Sequence, residues 1–120
     1  MFYIKILLDI DESLQIILDR LNEIKSPDDF LKTKEGLKNL DSIAMRFQAI
    51  GEAIKKVSKE SPSLLDKYKE INWKGAINFR DKISHHYFDI DAEEIYKICK
   101  NDIPLLEKTI KKIISDLKKI

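Results

Sequence analysis

The spacing of the apolar residues constrains the fold of this chain more than any other feature. Three series of apolar side chains recur at intervals of three or four, which places each series on one side of a helix. The series are Leu7, Ile10, Leu14, Ile17, Leu21 and Ile24; Leu37, Leu40, Ala44, Phe47, Gly51, Ile54 and Val57; and Ile103, Leu106, Ile110, Ile113, Leu117 and Ile120. The second series predicts a helix from about residue 34 to about residue 58.

Shorter helices are expected where polar residues and prolines interrupt these series. Ser26-Pro27 ends the first helix and can begin a short helical turn, and Asn101-Asp102 before Pro104 is typical of a helix that starts again. Three polar side chains are predicted N-caps of further helices. Ser63 would cap a helix from Leu64 to about Tyr68, and Asp91 would cap one that runs through about Cys99. Asn72 would cap a helix that starts at Trp73 and carries Ala76, Ile77, Ile83 and Tyr87 on one side.

The composition supports an all-α fold. The chain has only three glycines and three prolines in 120 residues, fewer than hairpin-rich or disordered chains usually have. We therefore predict one domain over residues 1–120, an antiparallel, up-and-down bundle of about five to six helices.

Gly51, within the second helix, lowers the stability of that helix by about 1 kcal/mol relative to alanine. A close approach between two helices at that point would account for it.

The charge balance limits how the chain can bind nucleic acid. Its 22 basic and 21 acidic residues leave a formal net charge of +1, which gives no overall attraction for RNA. RNA would have to bind a local patch, or a surface formed by more than one chain.

The single cysteine, Cys99, fits a reducing compartment, and no apolar run has membrane-spanning length. We expect a cytoplasmic protein without a membrane partner.

Both histidines of the chain lie in one short stretch, Arg80 to Tyr87, which reads R-x4-H-x-Y. Histidine moves protons near neutral pH because its ordinary pKa is about 6.5. Arginine keeps its charge, and its planar fork matches two phosphate oxygens. Together with a ribose 2′-OH, Arg80 and His85 would form a minimal site for cutting RNA without a metal or another cofactor.

Each residue of this stretch also has an ordinary structural explanation. Arg80 could pair with Asp81 or Asp89, and His85 could cap the end of a helix. Tyr87 could be a half-buried core aromatic residue. His86 fits an R-x5-H spacing, so it is an alternative to His85. The aspartates beside the histidines could suggest a metal site, but adjacent histidines point in different directions, and we expect none.

The stretch from Arg80 to Tyr87 resembles the motif of the HepT-like branch of the HEPN domains. The similarity covers roughly residues 4 to 120 and includes four other segments. These segments are Ile50-Gly51-Glu52-Ala53, Ile71-Asn72-Trp73, Phe88-Asp89-Ile90-Asp91 and Asn101-Asp102-Ile103-Pro104. R-x4-H alone occurs often by chance, whereas the ordered set is fairly specific.

This resemblance implies an endoribonuclease that serves as the toxin of a toxin–antitoxin pair. Arg80 and His85 would be catalytic, with Asp81 and His86 in supporting positions. Asp81 departs from the small polar residue, often asparagine, that is usual there in the family. The partners would be RNA, a second copy in a homodimer with a shared cleft, and a nucleotidyltransferase antitoxin that silences the toxin by adenylylating Tyr87. The alternative is a catalytically silent adaptor or substrate-binding subunit for a nucleotidyltransferase.

A regular helix through this motif would not bring Arg80 and His85 together. Residues five apart differ by about 140° in rotation and about 7.5 Å along the axis, whereas Arg80 and Tyr87 would share a face. Either the helix ends near His85, or two chains combine their motifs across a two-fold axis.

Overall fold

The chain is built almost entirely from α-helices. A computed structural model describes residues 2–86 and 89–119, without the side chains of residues 2 and 84–89. The elements within these ranges are α1 (Phe2–Arg20), a 3₁₀ turn (Pro27–Phe30), α2 (Lys34–Glu60), α3 (Pro62–Asp66), α4 (Trp73–Ile77), α5 (Phe79–Ile83), β1 (Ser84–His86), β2 (Asp89–Ile90), α6 (Ala92–Asn101) and α7 (Ile103–Lys118).

The three long helices supply most of the core. Helix α1 packs against both α2 and α7, and the shorter helices α3 to α5 pack along α2. The predicted apolar series are buried in large part, and each fully buried leucine or isoleucine contributes about 1.5–3 kcal/mol through the hydrophobic effect. Among the described members, Leu37 is 44% exposed and Ala44 is half-buried, and Ile120 lies outside the described residues. In the part of the chain that the structure describes, no helix is long and apolar enough to cross a membrane.

Side-chain caps fix the starts of several helices. The Thr33 hydroxyl accepts a hydrogen bond from the backbone N–H of Gly36 at 2.9 Å. Asn72 and Asp91 cap α4 and α6 in the same way, as the sequence predicts. The prediction for Ser63 is wrong: α3 begins two residues earlier than expected, at Pro62, with Ser61 as its N-cap. Proline suits this first position because its missing N–H would have no partner there.

The all-α prediction is confirmed, but the motif region is more divided than expected. One helix starting at Trp73 was predicted, whereas two five-residue helices, α4 and α5, are observed with a break at Asn78. This break raises the number of α-helices in the described ranges to seven. The backbone N–H of Asn78 bonds to Lys74, and its carbonyl accepts from Asp81. The chain therefore turns at Asn78 and starts a new helical turn.

Gly51 lies at a close contact between α2 and α4. A Cβ atom at this position would be 2.6 Å from the backbone oxygen of Ile77 and 3.4 Å from that of Ala76. Real Cβ atoms are essentially never found within 3.0 Å of a backbone oxygen, so only glycine fits without a shift of the backbone. The close approach expected from the sequence is confirmed, and it sets the position of α4 and of the motif that follows.

We predict that Gly51→Ala lowers the free energy of unfolding by about 1–3 kcal/mol, because the added methyl group pushes α4 away from α2. Alanine is the better helix former, so a loss of stability would isolate the effect of the contact. Chemical denaturation followed by circular dichroism measures it. Ala49→Ser, at an exposed position of the same helix, is the control and should change stability by less than about 0.5 kcal/mol. A more stable Gly51→Ala protein would contradict the contact.

Candidate active site at the helix–hairpin junction

Helix α5 is short, but two buried side chains fix it to the core. Phe79 and Ile83 lie four residues apart and face inward, and the ring centroid of Phe79 is 5.2 Å from that of Phe47 on α2. The intervening residues Arg80, Asp81 and Lys82 are exposed. A helix of five residues would not be stable alone, so this packing maintains it. Arg80 is thus presented to solvent from a fixed backbone.

A small antiparallel hairpin follows α5 directly. The backbone N–H of Asp91 donates to the carbonyl of Ile83 at 2.7 Å, which closes the base of the hairpin. Ser84 pairs with Ile90 and His86 pairs with Asp89, so the register shifts by one residue between them. His85 therefore lies where the pairing is irregular. Such irregularities are common beside active sites, because the extra residue redirects a side chain.

The structure places the predicted site residues on two adjoining elements. Arg80 and Asp81 are exposed on α5, and the backbones of His85 and His86 belong to β1. The side chains of both histidines, and all of Tyr87, lie outside the described part of the chain. Among the described side chains, Arg80 forms no ion pair with Asp81. The side chain of Asp89 lies outside the described part of the chain, so a pair between Arg80 and Asp89 stays a prediction.

The prediction that one helix runs through the motif to Tyr87 is wrong. Helix α5 ends at Ile83 because the chain extends there to pair with β2. His85 is therefore not a residue of the last helical turn, and the argument that Arg80 and Tyr87 share a helix face no longer applies. The first of the two expected solutions, a helix that ends near His85, is the one observed. A shared site is then no longer required by helix geometry, and the homodimer depends on the family resemblance and the balanced charge.

Arg80 lines a groove that the sequence analysis missed. Its volume is about 290 Å³, and it lies between α2, α5 and β2. The lining residues are Asp41, Ala44, Met45, Gln48, Arg80, Ile83 and Ile90. Consecutive members of the four from α2 are one or three residues apart, so they lie on one side of α2, where Ala44 is half-buried and the other three are exposed. The available signal was Met45, an apolar side chain on the solvent side of the helix and 70% exposed.

Two described groups have strongly shifted pKa values, and both belong to the core rather than to this groove. Burial raises the pKa of the Cys99 thiol to about 12, so the thiol is protonated and unreactive at neutral pH. Burial and a hydrogen bond to Asp116 raise the pKa of Tyr68 to about 12. Among the described residues, no group of three or more side chains is arranged to hold a metal ion. The side chains of His85, His86 and Asp89 lie outside the described part of the chain, so the expectation that they hold no metal stays a prediction.

Comparisons with known proteins agree on one family. A family model described as "Ribonuclease HepT-like" matches residues 10–113. A Methanocaldococcus jannaschii protein named "Putative RNase" is 37% identical over 111 residues, which covers 92% of this chain and 86% of that protein. A second protein of that organism with the same description is 31% identical and covers 91% of this chain and 90% of its own length.

A relative from Thermococcus cleftensis carries the more specific name "Probable ribonuclease HepT". It is 33% identical over 105 residues, which covers 88% of this chain and 89% of that protein. No solved structure matches the chain. These similarities span nearly the whole bundle, including α4, α5 and the hairpin.

Proposed function

Because this chain belongs to the HepT-like ribonuclease family, we propose that it is a metal-independent endoribonuclease and the toxin of a toxin–antitoxin pair. Its substrate is RNA, which it cuts within the strand. The family supports ribonuclease activity as such. The catalytic residues, the toxin role and the regulation below are the finer parts of the proposal.

The observation that carries the proposal is the junction of α5 and β1. Arg80 is exposed at the edge of a groove, and the backbone of His85 lies in the strand that begins after Ile83. Phe79 and Ile83 fix α5 to the core on one side of the junction. On the other side, the hydrogen bond from the backbone N–H of Asp91 to the carbonyl of Ile83 holds the base of the hairpin. A phosphate can therefore approach Arg80 from solvent without any change in the core, and His85 follows in the strand that begins four residues after Arg80.

The reaction needs one nucleophile, one proton acceptor, one proton donor and one cation. The ribose 2′-OH loses its proton and attacks the adjacent phosphorus, and the bond to the 5′ oxygen of the next nucleotide breaks as that oxygen gains a proton. His85 makes one of these two transfers, as general base or as general acid, and a second histidine or the solvent makes the other. The products are a 2′,3′-cyclic phosphate and a free 5′-OH, so atoms and charge balance without water or metal. Arg80 pairs with the equatorial oxygens on which negative charge develops.

The supporting residues adjust this chemistry. The carboxylate of Asp81, next to Arg80, would raise the pKa of a nearby histidine and keep it ready to donate a proton. His86 is the second candidate for proton transfer because an R-x5-H spacing places it one residue further on. A homodimer would bring two copies of the junction into one cleft and would offset the weak overall attraction of a nearly neutral chain for RNA.

We predict that His85→Ala reduces RNA cleavage by about 10²–10⁴-fold, the usual contribution of a positioned proton-transfer group. Cleavage of a labelled RNA by the purified chain measures it, and circular dichroism confirms the fold. His86→Ala is the parallel test of the second candidate, and it should lose less activity than His85→Ala. Mixing an Arg80→Ala chain with a His85→Ala chain should restore part of the activity if the two motifs share a cleft.

Three outcomes would contradict parts of this account. Full activity in His85→Ala together with loss in His86→Ala would move the proton-transfer role to His86. No restoration in the mixture, despite exchange of subunits, would show that each chain uses its own arginine. No cleavage of any RNA by the wild-type chain would leave the adaptor as the remaining function.

Adenylylation of Tyr87 by a partner nucleotidyltransferase would silence the enzyme. Tyr87 follows the two histidines directly, so a group attached to its phenol would lie beside the site. Each adenylyl unit adds a phosphodiester with one negative charge, which repels RNA and competes for Arg80. Occupancy and charge are sufficient for inhibition, and the bundle need not refold.

We predict that co-expression with the cognate nucleotidyltransferase increases the mass of this chain by one or more AMP units at Tyr87. The modified protein should lose cleavage, because the added charge occupies the site. Tyr87→Phe should fold and keep cleaving but resist silencing. Intact-mass spectrometry with peptide mapping measures the modification. An unmodified Tyr87 in a fully inhibited pair, with ATP present, would show that inhibition works by binding alone.

A further inference from the structure

The groove beside Arg80 has the size and the lining of a site for one small, flat, partly polar group. Its volume of about 290 Å³ is close to the lower end of the range for small-molecule sites. Met45, Ala44, Ile83 and Ile90 supply apolar surface, and Asp41 and Gln48 supply hydrogen-bonding groups. Arg80 supplies a positive charge at the same groove.

We propose that this groove binds the base of a nucleotide next to the scissile phosphate, and that the Asp41 carboxylate makes it select cytosine over uracil. This inference rests on the proposed function, because it takes RNA as the ligand. It assigns α2, which carries none of the motif, a role in choosing the RNA sequence.

The apolar part of the lining can support the face of a base. Met45 is 70% exposed, so its apolar side chain is available to a ligand in the groove. Methionine is flexible and polarisable, and its sulfur makes favourable contacts with aromatic rings. Unpaired bases in single-stranded RNA bind proteins by stacking on side chains while their edges form hydrogen bonds.

Asp41 gives the groove a preference among bases. An ionised carboxylate only accepts hydrogen bonds, so it needs an N–H donor on the base edge. Cytosine presents its 4-amino group, a donor that aspartate commonly recognises. Uracil has carbonyl oxygens on both sides of its N3–H, and the carboxylate repels them. Gln48 both donates and accepts, so it fits either base and does not discriminate.

The lining favours a base over a second copy of the chain. The centres of protein–protein interfaces are depleted in aspartate, whereas Asp41 lines this groove. Opposite charges at one groove instead fit a nucleotide, whose phosphate is negative and whose amino group is a donor. Asp41 and Gln48 are seven residues apart on α2, about 10 Å along its axis, which is long enough for one nucleotide.

The test compares cytosine with uracil in RNA that cannot be cut. Short 2′-O-methyl oligo(C) and oligo(U) lack the attacking hydroxyl, so their binding is measured separately from catalysis. We expect the wild-type chain to bind oligo(C) about tenfold more tightly than oligo(U), the value of one hydrogen bond to a charged group. Asp41→Asn can donate as well as accept, and it should narrow the difference to about twofold. Met45→Ala should weaken both oligonucleotides by a similar factor.

Two control variants accompany this test. Asp66→Asn removes an exposed carboxylate outside the groove, and Leu31→Ala removes an exposed apolar side chain outside it. Both should bind oligo(C) and oligo(U) as the wild type does. Sequencing the ends of a cleaved random-sequence RNA provides the second arm: cytosine should be enriched over uracil at one position beside the cut, and Asp41→Asn should remove that enrichment.

The outcomes separate this inference from the proposed function. Equal affinity of the wild type for oligo(C) and oligo(U), or an unchanged preference in Asp41→Asn, would overturn the base site even if RNA is cut. A cytosine preference that depends on Asp41 without any RNA cleavage would support the base site and reject the nuclease. Weaker self-association of Met45→Ala at unchanged oligonucleotide affinity would assign the groove to a second copy and overturn the inference.

Discussion

The contact between Gly51 and the carbonyl of Ile77 determines where the motif lies. A Cβ at residue 51 would be 2.6 Å from that oxygen, so the backbone of α4 rests directly on α2. Phe79 then packs on Phe47 of the same helix, one residue past the break at Asn78. Because α2 is also packed against α1, the motif region is attached to the most extensively packed part of the bundle. The position of Arg80 follows from these contacts.

At the candidate site, buried side chains attach α5 to the core, and the charged side chains of the same helix are exposed to solvent. Helix α5 buries Phe79 and Ile83 and leaves three charged residues in solvent, and the hairpin begins directly after Ile83. This arrangement suits an enzyme whose substrate is a long polymer, because a strand of RNA can reach Arg80 without entering a deep cavity. It would also leave the Arg80 side chain accessible to a second copy of the chain or to a modifying partner.

The long helices could be predicted from the sequence because their burial follows the helical period. Series such as Leu7 to Ile24 are buried on one side, and the caps Asn72 and Asp91 form as expected. The motif region could not be predicted in the same way. Its two helices have five residues each and are maintained by contacts with α2 that are distant in sequence, so the break at Asn78 and the strand at Ser84 have no periodic signal. Local pattern predicts structure poorly where tertiary packing decides it.

The candidate site was predicted in part. The residue types and the family pattern predict Arg80 and His85 as catalytic, and Arg80 is exposed, as that role would require. The contribution of α2 was missed because Asp41 and Gln48 are typical of any solvated helix face. Which faces adjoin the motif depends on how the bundle folds. The sequence of α2 alone does not contain that information.

The chemical nature of the cut ends tests the central claim most directly. A defined RNA is incubated with the purified chain in the presence of excess EDTA, and the termini of the products are identified by mass spectrometry. Attack by the 2′-OH without a metal requires cleavage to continue in EDTA and to leave a 2′,3′-cyclic phosphate and a 5′-OH. Products with a 3′-OH and a 5′-phosphate, or cleavage that EDTA abolishes, would contradict the mechanism assigned to Arg80 and His85.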